Sequence, residues 1–209
     1  MLKKCNNIHF SILLSALFSL LACQVSYGLS VVEKSLEQLL EQSDEVIYGL
    51  VTEISSRYDH DQPNQQIYTY IQFSETKRIK NSDANARDGF VLRIAGGRVG
   101  SRAQVIPGAP KFDVGERYIL FVKGNNKLAL PIVGVNQGVF SVVLNAATHS
   151  YEVVLKGRPE EFSTQLQMLL DGTENGSLDS LSTGISPQEF MEALSTKWRQ
   201  GDVQLRFGR

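Results

Sequence analysis

The sequence predicts a mainly β body with flanking helices, drawn as a closed five-stranded OB-type barrel with an extra hairpin and C-terminal helices. Three observations carry that prediction. Ile67, Thr69, Ile71 and Phe73 alternate with Tyr68, Tyr70 and Gln72, the period of a half-buried strand. Seven or eight short apolar runs are separated by turn residues at the spacing of barrels and sandwiches. The stretch from Phe90 to Val122 joins an apolar strand to a second, more hydrophobic one through a glycine-rich turn and a proline-containing loop, as tight corners require.

At 209 residues, 42% hydrophobic and 21% charged, the chain fits one globular domain. Its net charge of −1 gives no global case for nucleic acid or an anionic membrane surface. The chain opens with Lys3 and Lys4 before the apolar run Ile12–Ala22, the pattern of an export signal. That run is short of the roughly 20 residues of a membrane span. Ser26-Tyr27-Gly28 has the small residues that suit cleavage before Leu29, making 1–28 a signal peptide. The competing exit is Leu20-Leu21-Ala22-Cys23, a lipoprotein-type box with Cys23 as the lipidated residue. Cleavage at 28 removes two lysines and both cysteines, taking the charge from −1 to −3 and leaving no disulfide. The expected product is periplasmic or secreted, with an outer-membrane lipoprotein as the alternative. Residues 29–157 are expected to form the N-terminal helix and barrel, and 158–209 a helical extension.

In order, Ser30-Val31-Val32-Glu33 reads as a capping box opening a helix with Val32, Leu36, Leu39 and Leu40 on one stripe, ending near Ser43-Asp44. Val46–Ile54 reads as the first strand, with Gly49 at a bulge or bend. Arg57–Gln66 is a polar loop, Ile67–Phe73 the second strand, Asn81–Gly89 a polar connection and Phe90–Ile94 the third strand. Gln104–Ile106 is a short piece and Tyr118–Val122 the central strand. Gly124–Lys127 is expected to turn into a strand over Leu128–Val133. Val139–Leu144 and Tyr151–Leu155 form a further pair. Pro159 marks a helix start, with Phe162, Leu166 and Leu169 or Leu170 as its stripe, and Asp171–Gly184 is a linker. Ser186-Pro187-Gln188-Glu189 is a second capping box, flanked by Ile185 and Phe190 as a hydrophobic staple, with Phe190, Leu194 and Trp198 on one helix face. Val203, Leu205 and Phe207 alternate, as a strand added to an edge would.

The run Ser43–Val51, with Ile67-Tyr68-Thr69-Tyr70 and Lys77-Arg78-Ile79-Lys80, resembles the opening of netrin-like domains, OB barrels that include the tissue inhibitors of metalloproteinases. The longer pattern, from Ser35-Leu36 through Gly96-Gly97-Arg98-Val99-Gly100 and Pro107–Phe112 to Gly115-Glu116-Arg117, is similar to a family of exported bacterial proteins. The resemblance spans about residues 30–144. It implies a netrin-like barrel and, as one alternative, a protease inhibitor or protease-associated protein. Those inhibitors present an N-terminal cysteine amine and carbonyl to the protease zinc, and here Cys23 has no partner cysteine after cleavage.

Signatures of catalysis are missing: the chain has no HExxH, G-x-S-x-G, Walker loop or C-x-x-C. No catalytic residue and no cofactor is expected. Asp59-His60-Asp61 is the one dense group of metal-ligand types after the leader, read as a solvated loop tip. Asp171, Thr173, Asn175 and Asp179 echo a calcium loop, but Ser182 stands where the bidentate glutamate belongs, so a flexible linker is expected. Gly96–Gly100 is followed by extended, proline-containing chain instead of a helix, which favours a barrel corner over a phosphate cradle. Arg93, Arg98, Arg102, Lys111 and Arg117 are candidates for a basic patch facing an anionic glycan or an acidic protein surface. The leading expectation is an exported, non-enzymatic binding protein for an envelope or extracellular protein or glycan, presenting loops around Asp59–Gln66, Gly96–Pro110 and Asn136. A hydrolase using Asp59, His60 or Glu116 is the last alternative.

Overall fold

The computed structural model describes residues 32–59, 66–80, 89–155, 164, 166 and 184–207, with side chains through Gly201. Residues 1–28, expected to be a signal peptide, with Cys23 among them, and His60, Asp61, the 81–88 part of the polar connection, Pro159, Phe162 and the Asp171–Asp179 segment lie outside the described residues.

Ser35 caps the first described helix, α1 (Leu36–Gln42), while Ser30 of the expected box lies outside the described residues. Its hydroxyl accepts from the Gln38 amide at 3.2 Å, and the Gln38 side chain accepts from the Ser35 amide at 3.0 Å. The correction follows from burial. Val32 stays 76% exposed, whereas Leu36, Leu39 and Leu40 form the buried i, i+3, i+4 stripe, so the helix begins where its apolar face begins. Ser43 closes it as expected, its amide donating to Leu39.

Eight strands follow: β1 (Glu45–Tyr58), β2 (Ile67–Ile79), β3 (Gly89–Ala95), β4 (Gly97–Val99), β5 (Arg102–Gln104), β6 (Arg117–Val122), β7 (Val139–Asn145) and β8 (Ser150–Val154). Six make one antiparallel sheet in the order β3-β2-β1-β6-β7-β8, and β4 pairs with β5 alone. The strands β6-β1-β2-β3 have the spatial order of a Greek key, in which a fourth strand returns beside the first. β6 is central, with partners on both sides, and five of its six residues are buried.

The sheet is covered on both faces. On one, Val46, Ile119, Phe121, Phe140 and Val142 pack with the α1 leucines and with Phe190, Met191 and Leu194 of a 21-residue helix, α2 (Pro187–Phe207). On the other, Ile47, Val51, Ile71, Phe73, Leu92, Tyr118 and Leu120 form a separate core, closed over by Phe112 and Ile132. Phe112 stands edge-on to Tyr118 at 5.0 Å, and the Tyr118 hydroxyl accepts from the Asp113 amide, which pins the loop before β6.

The expected barrel closure is corrected: the sheet is open, with β3 and β8 as edges. Three outer backbone groups of β3 are already occupied. Arg93 donates its amide to the Asn125 side chain at 3.1 Å, the same side chain donates to Val91 at 2.8 Å, and the Ala95 amide reaches Ala129 at 2.7 Å. An asparagine amide stands where a neighbouring strand would sit, which blunts the edge. On β8, the Val153 amide donates to Ile185.

Other expectations shift. β1 runs through Arg57 to Tyr58, so the polar loop starts later than predicted. The chain after Gly124 returns beside β6 through one bridge, Val122 to Ile132, instead of a strand over 128–133. Gly97–Val99 and Arg102–Gln104 form a hairpin in place of a corner and an isolated Gln104–Ile106 strand. Gly97 holds φ of +133°, and a Cβ there would collide with the Ser56 and Thr69 hydroxyls. Gly49 does face a bulge: between Tyr48↔Lys77 and Leu50↔Ser74, β2 uses one residue more than β1, and Glu75 takes φ of +52°. A second bulge between Val51 and Glu53 puts the extra residue in β1.

The Ser186–Glu189 capping box forms as expected, with both reciprocal bonds present. Ile185, Phe190 and Leu194 are buried and Trp198 partly so in one core. The tail strand is corrected: residues 203–207 continue α2. Val203 and Phe207 are also four apart, so the alternation was compatible with a helix, and extending a formed helix is far easier than nucleating a new element. Among the described residues, no helix is long and apolar enough to cross a membrane.

Candidate functional site

The five basic residues singled out in the sequence do not converge. Arg117 opens β6, with its guanidinium on Glu75 at 2.7 Å and near the Tyr48 hydroxyl at 3.5 Å. Burial alone would lower its pKa, but the hydrogen bond to Glu75 and further contacts with Tyr48 and Tyr151 outweigh that and raise it. Arg98 and Arg102 occupy non-opposed positions of the β4–β5 hairpin, Arg98 across from Ala103 and Arg102 across from Val99, so they project from opposite faces. Both are exposed, as is Lys111 in the following loop. Arg93 pairs through Tyr70 with Ser55 on β1, whereas Arg117 pairs with Leu50, five residues along β1, and β6 lies three strand positions from β3.

Arg93 instead belongs to a cleft of about 440 Å³ lined by Arg57, Asp59, Tyr68, Tyr70, Arg93, Asn126 and Lys127. The strand pattern builds it. On β2, Tyr68 and Tyr70 alternate with the core residue Ile71, and on β3 Arg93 lies between the core residues Leu92 and Ile94. These side chains therefore emerge on the face opposite the second core. Directly across from Tyr70 and Tyr68 stand the small residues Ser55 and Ala95, while Arg57 and Arg93 occupy the other flanks. Each arginine reaches diagonally over a tyrosine. The Arg57 guanidinium lies 3.9 Å from the Tyr70 ring centroid, and that of Arg93 lies 3.8 Å from the Tyr68 centroid. Such contacts contribute about 0.5–2 kcal/mol each, depending on desolvation.

The two arginines are held differently. Arg93 forms an ion pair with Asp59 at 3.3 Å and donates to the Asn126 carbonyl at 2.8 Å. Its Nε–H is buried with no acceptor, a donor the protein leaves unused. Arg57 is exposed and is fixed by its stack on Tyr70. Lys127 arrives from the turn after β6, where Asn126 takes φ of +65° and the Lys127 amide donates to Gly124 at 2.9 Å. Among the described lining residues, three cations face one carboxylate, and that carboxylate is engaged by Arg93. Through its described residues the cleft offers hydrogen-bond donors and positive charge to an anion.

Asp59 is thus a structural partner of Arg93. Glu116, the other described residue of the hydrolase alternative, is exposed just before β6, with its amide on Asp113. Among the described residues, no three His, Cys, Asp or Glu side chains gather into a metal-sized group. The cleft residues that sequence reasoning missed are Arg57, Tyr68, Tyr70, Asn126 and Lys127. The available signal was the Tyr-x-Tyr repeat on a strand whose neighbours both carry arginine, but pairing them requires the register.

Compared with known protein families, curated proteins and solved structures, the chain matches none.

Proposed function

We propose that this chain is an exported, non-enzymatic binding module that receives an anionic ligand in the Arg57–Tyr70–Tyr68–Arg93 cleft. The carrying observation is the crossed pair of arginine–tyrosine stacks beside the exposed Lys127. A guanidinium clamped on a ring keeps its N–H edge available while losing little freedom on binding, so the donors are organised before the ligand arrives. The cleft volume falls within the usual range for small-molecule sites. Export is argued from the leader at 1–28, and intact mass of the processed protein separates cleavage before Leu29 from lipidation at Cys23.

The Greek-key order supports an OB-type ancestry for the sheet, with the β4–β5 hairpin set into the crossover between β3 and β6. The binding proposal does not depend on that ancestry.

Thermal unfolding in the presence of phosphate, citrate and glucuronate tests the binding reading. The wild-type protein should gain stability with at least one of them, by linkage between ligand and fold. Arg57→Ala combined with Lys127→Ala should abolish the gain while lowering the ligand-free midpoint by no more than the loss of the single Arg57–Tyr70 stack, since both residues are exposed. An equal gain in the wild type and the double variant would overturn the assignment of the site.

A further inference from the structure

Resting on the anion-binding reading, we infer that the cleft selects a compact tetrahedral dianion, a phosphate monoester group, over singly charged anions. The first argument is charge. Among the described lining residues, Arg57, Arg93 and Lys127 set against Asp59 leave two positive charges in excess. A phosphate monoester carries about −1.5 to −2 near neutral pH and matches that excess, where a carboxylate or sulfate ester supplies one charge.

The second argument is direction. The donors come from three separate elements: Arg57 from β1, Arg93 from β3 and Lys127 from the turn after β6. Donors converging from three sides suit the three terminal oxygens of a phosphoryl group better than the two coplanar oxygens of a carboxylate, for which a single fork suffices. Arg57 and Lys127 make no ion pair or side-chain hydrogen bond among the described residues, so their donors are free for those oxygens. Arg93 is restrained by Asp59 and the Asn126 carbonyl and supplies a fixed wall whose Nε–H lacks an acceptor.

The third argument is what the aromatic rings do. The Tyr70 and Tyr68 rings each have a guanidinium laid on one face, so they act as platforms that position charge. The selectivity of the cleft is therefore for the charged group of the ligand.

Calorimetric titration at neutral pH and low ionic strength tests this with phenyl phosphate, phenyl sulfate, benzoate and inorganic phosphate. Phenyl phosphate and phenyl sulfate share a tetrahedral head and differ in charge. One further charge about 6 Å from the cations at an intermediate effective dielectric favours the dianion by about tenfold in affinity. Phenyl phosphate should bind about that much more tightly than phenyl sulfate and benzoate, and Arg57→Ala or Lys127→Ala should remove most of the difference. Inorganic phosphate binding as well as phenyl phosphate identifies the free anion as sufficient and supports the inference. Equal affinity for all the anions, lost in the variants, overturns dianion selectivity and leaves the anion-binding cleft standing. Absence of binding by every probe overturns both.

Discussion

Truncating Phe190 to alanine tests whether α2 is an integral part of the folded body. The Phe190 ring is fully buried, 5.6 Å from Phe140, which is in turn 5.5 Å from Phe121 on the central strand. It also occupies the staple position beside Ile185, next to a capped helix start. Removing a buried phenylalanine of this kind costs about 3–5 kcal/mol, of which roughly 0.5–1.5 is the ring–ring contact itself. Against a total stability of about 5–15 kcal/mol, that is a large fraction. Urea unfolding offers two local reporters. Trp198, the sole tryptophan, sits on the same helix and reads α2 by fluorescence, while far-UV circular dichroism also reads the sheet. In the wild type the two transitions should coincide, and in Phe190→Ala both should move together to lower urea. Phe190→Leu, which refills part of the volume, should lie between. A loss below about 1 kcal/mol, or a Trp198 transition that precedes loss of the sheet signal in the wild type, would refute the shared core.

Three further outcomes follow from individual contacts. Gly97→Ala should destabilise by more than about 1 kcal/mol in thermal or urea unfolding, because the positive φ and the Ser56 and Thr69 hydroxyls both oppose a Cβ; an unchanged midpoint would contradict the packing of the β4–β5 hairpin on β1 and β2. Asn125→Ala strips the cover from β3, leaving the Arg93 amide and Val91 carbonyl without that partner, and should produce concentration-dependent association in analytical ultracentrifugation; a variant that stays monomeric whenever the wild type does would contradict the edge-capping role. Burial lifts the Glu45 carboxyl above its ordinary value of 4.5, with Arg78 opposing and Asp44 adding to the rise. A carboxyl whose folded pKa is the higher binds more protons in the folded state, so its contribution to stability declines as pH rises from 4.5 through the folded value. Glu45→Gln should therefore raise the melting temperature at neutral pH and change it little well below 4.5, and the reverse pattern would refute the sign.

Where the fold could be read from the chain, one physical signal dominated. β2 announces itself because Ile67, Ile71 and Phe73 are buried while their neighbours are polar or amphipathic. β6 does so because a strand covered on both faces is apolar throughout. The α2 start was readable because Ser186, Glu189, Ile185 and Phe190 each satisfy a separate positional requirement. At α1, by contrast, Ser30-x-x-Glu33 and Ser35-x-x-Gln38 are equally good capping boxes, and tertiary burial of the leucines chooses between them. The open edge was not readable, because no local pattern shows that a distant side chain, Asn125, bonds the outer groups of β3. The cleft was hidden for a related reason. Arg93 stands out in the sequence as a charge, but its companions Arg57 and Lys127 fall in segments that read as a loop and a turn, and the pairing of Tyr68 and Tyr70 with two arginines exists only once three strands are in register.

The most direct test of the binding account is a two-dimensional ¹H–¹⁵N titration of the protein with phenyl phosphate. The account predicts saturable shifts confined to the amides of Arg57, Tyr68, Tyr70, Arg93, Asn126 and Lys127 and their immediate neighbours. Saturable shifts centred instead on the Arg98–Arg102 hairpin, or a spectrum unmoved throughout, would contradict it.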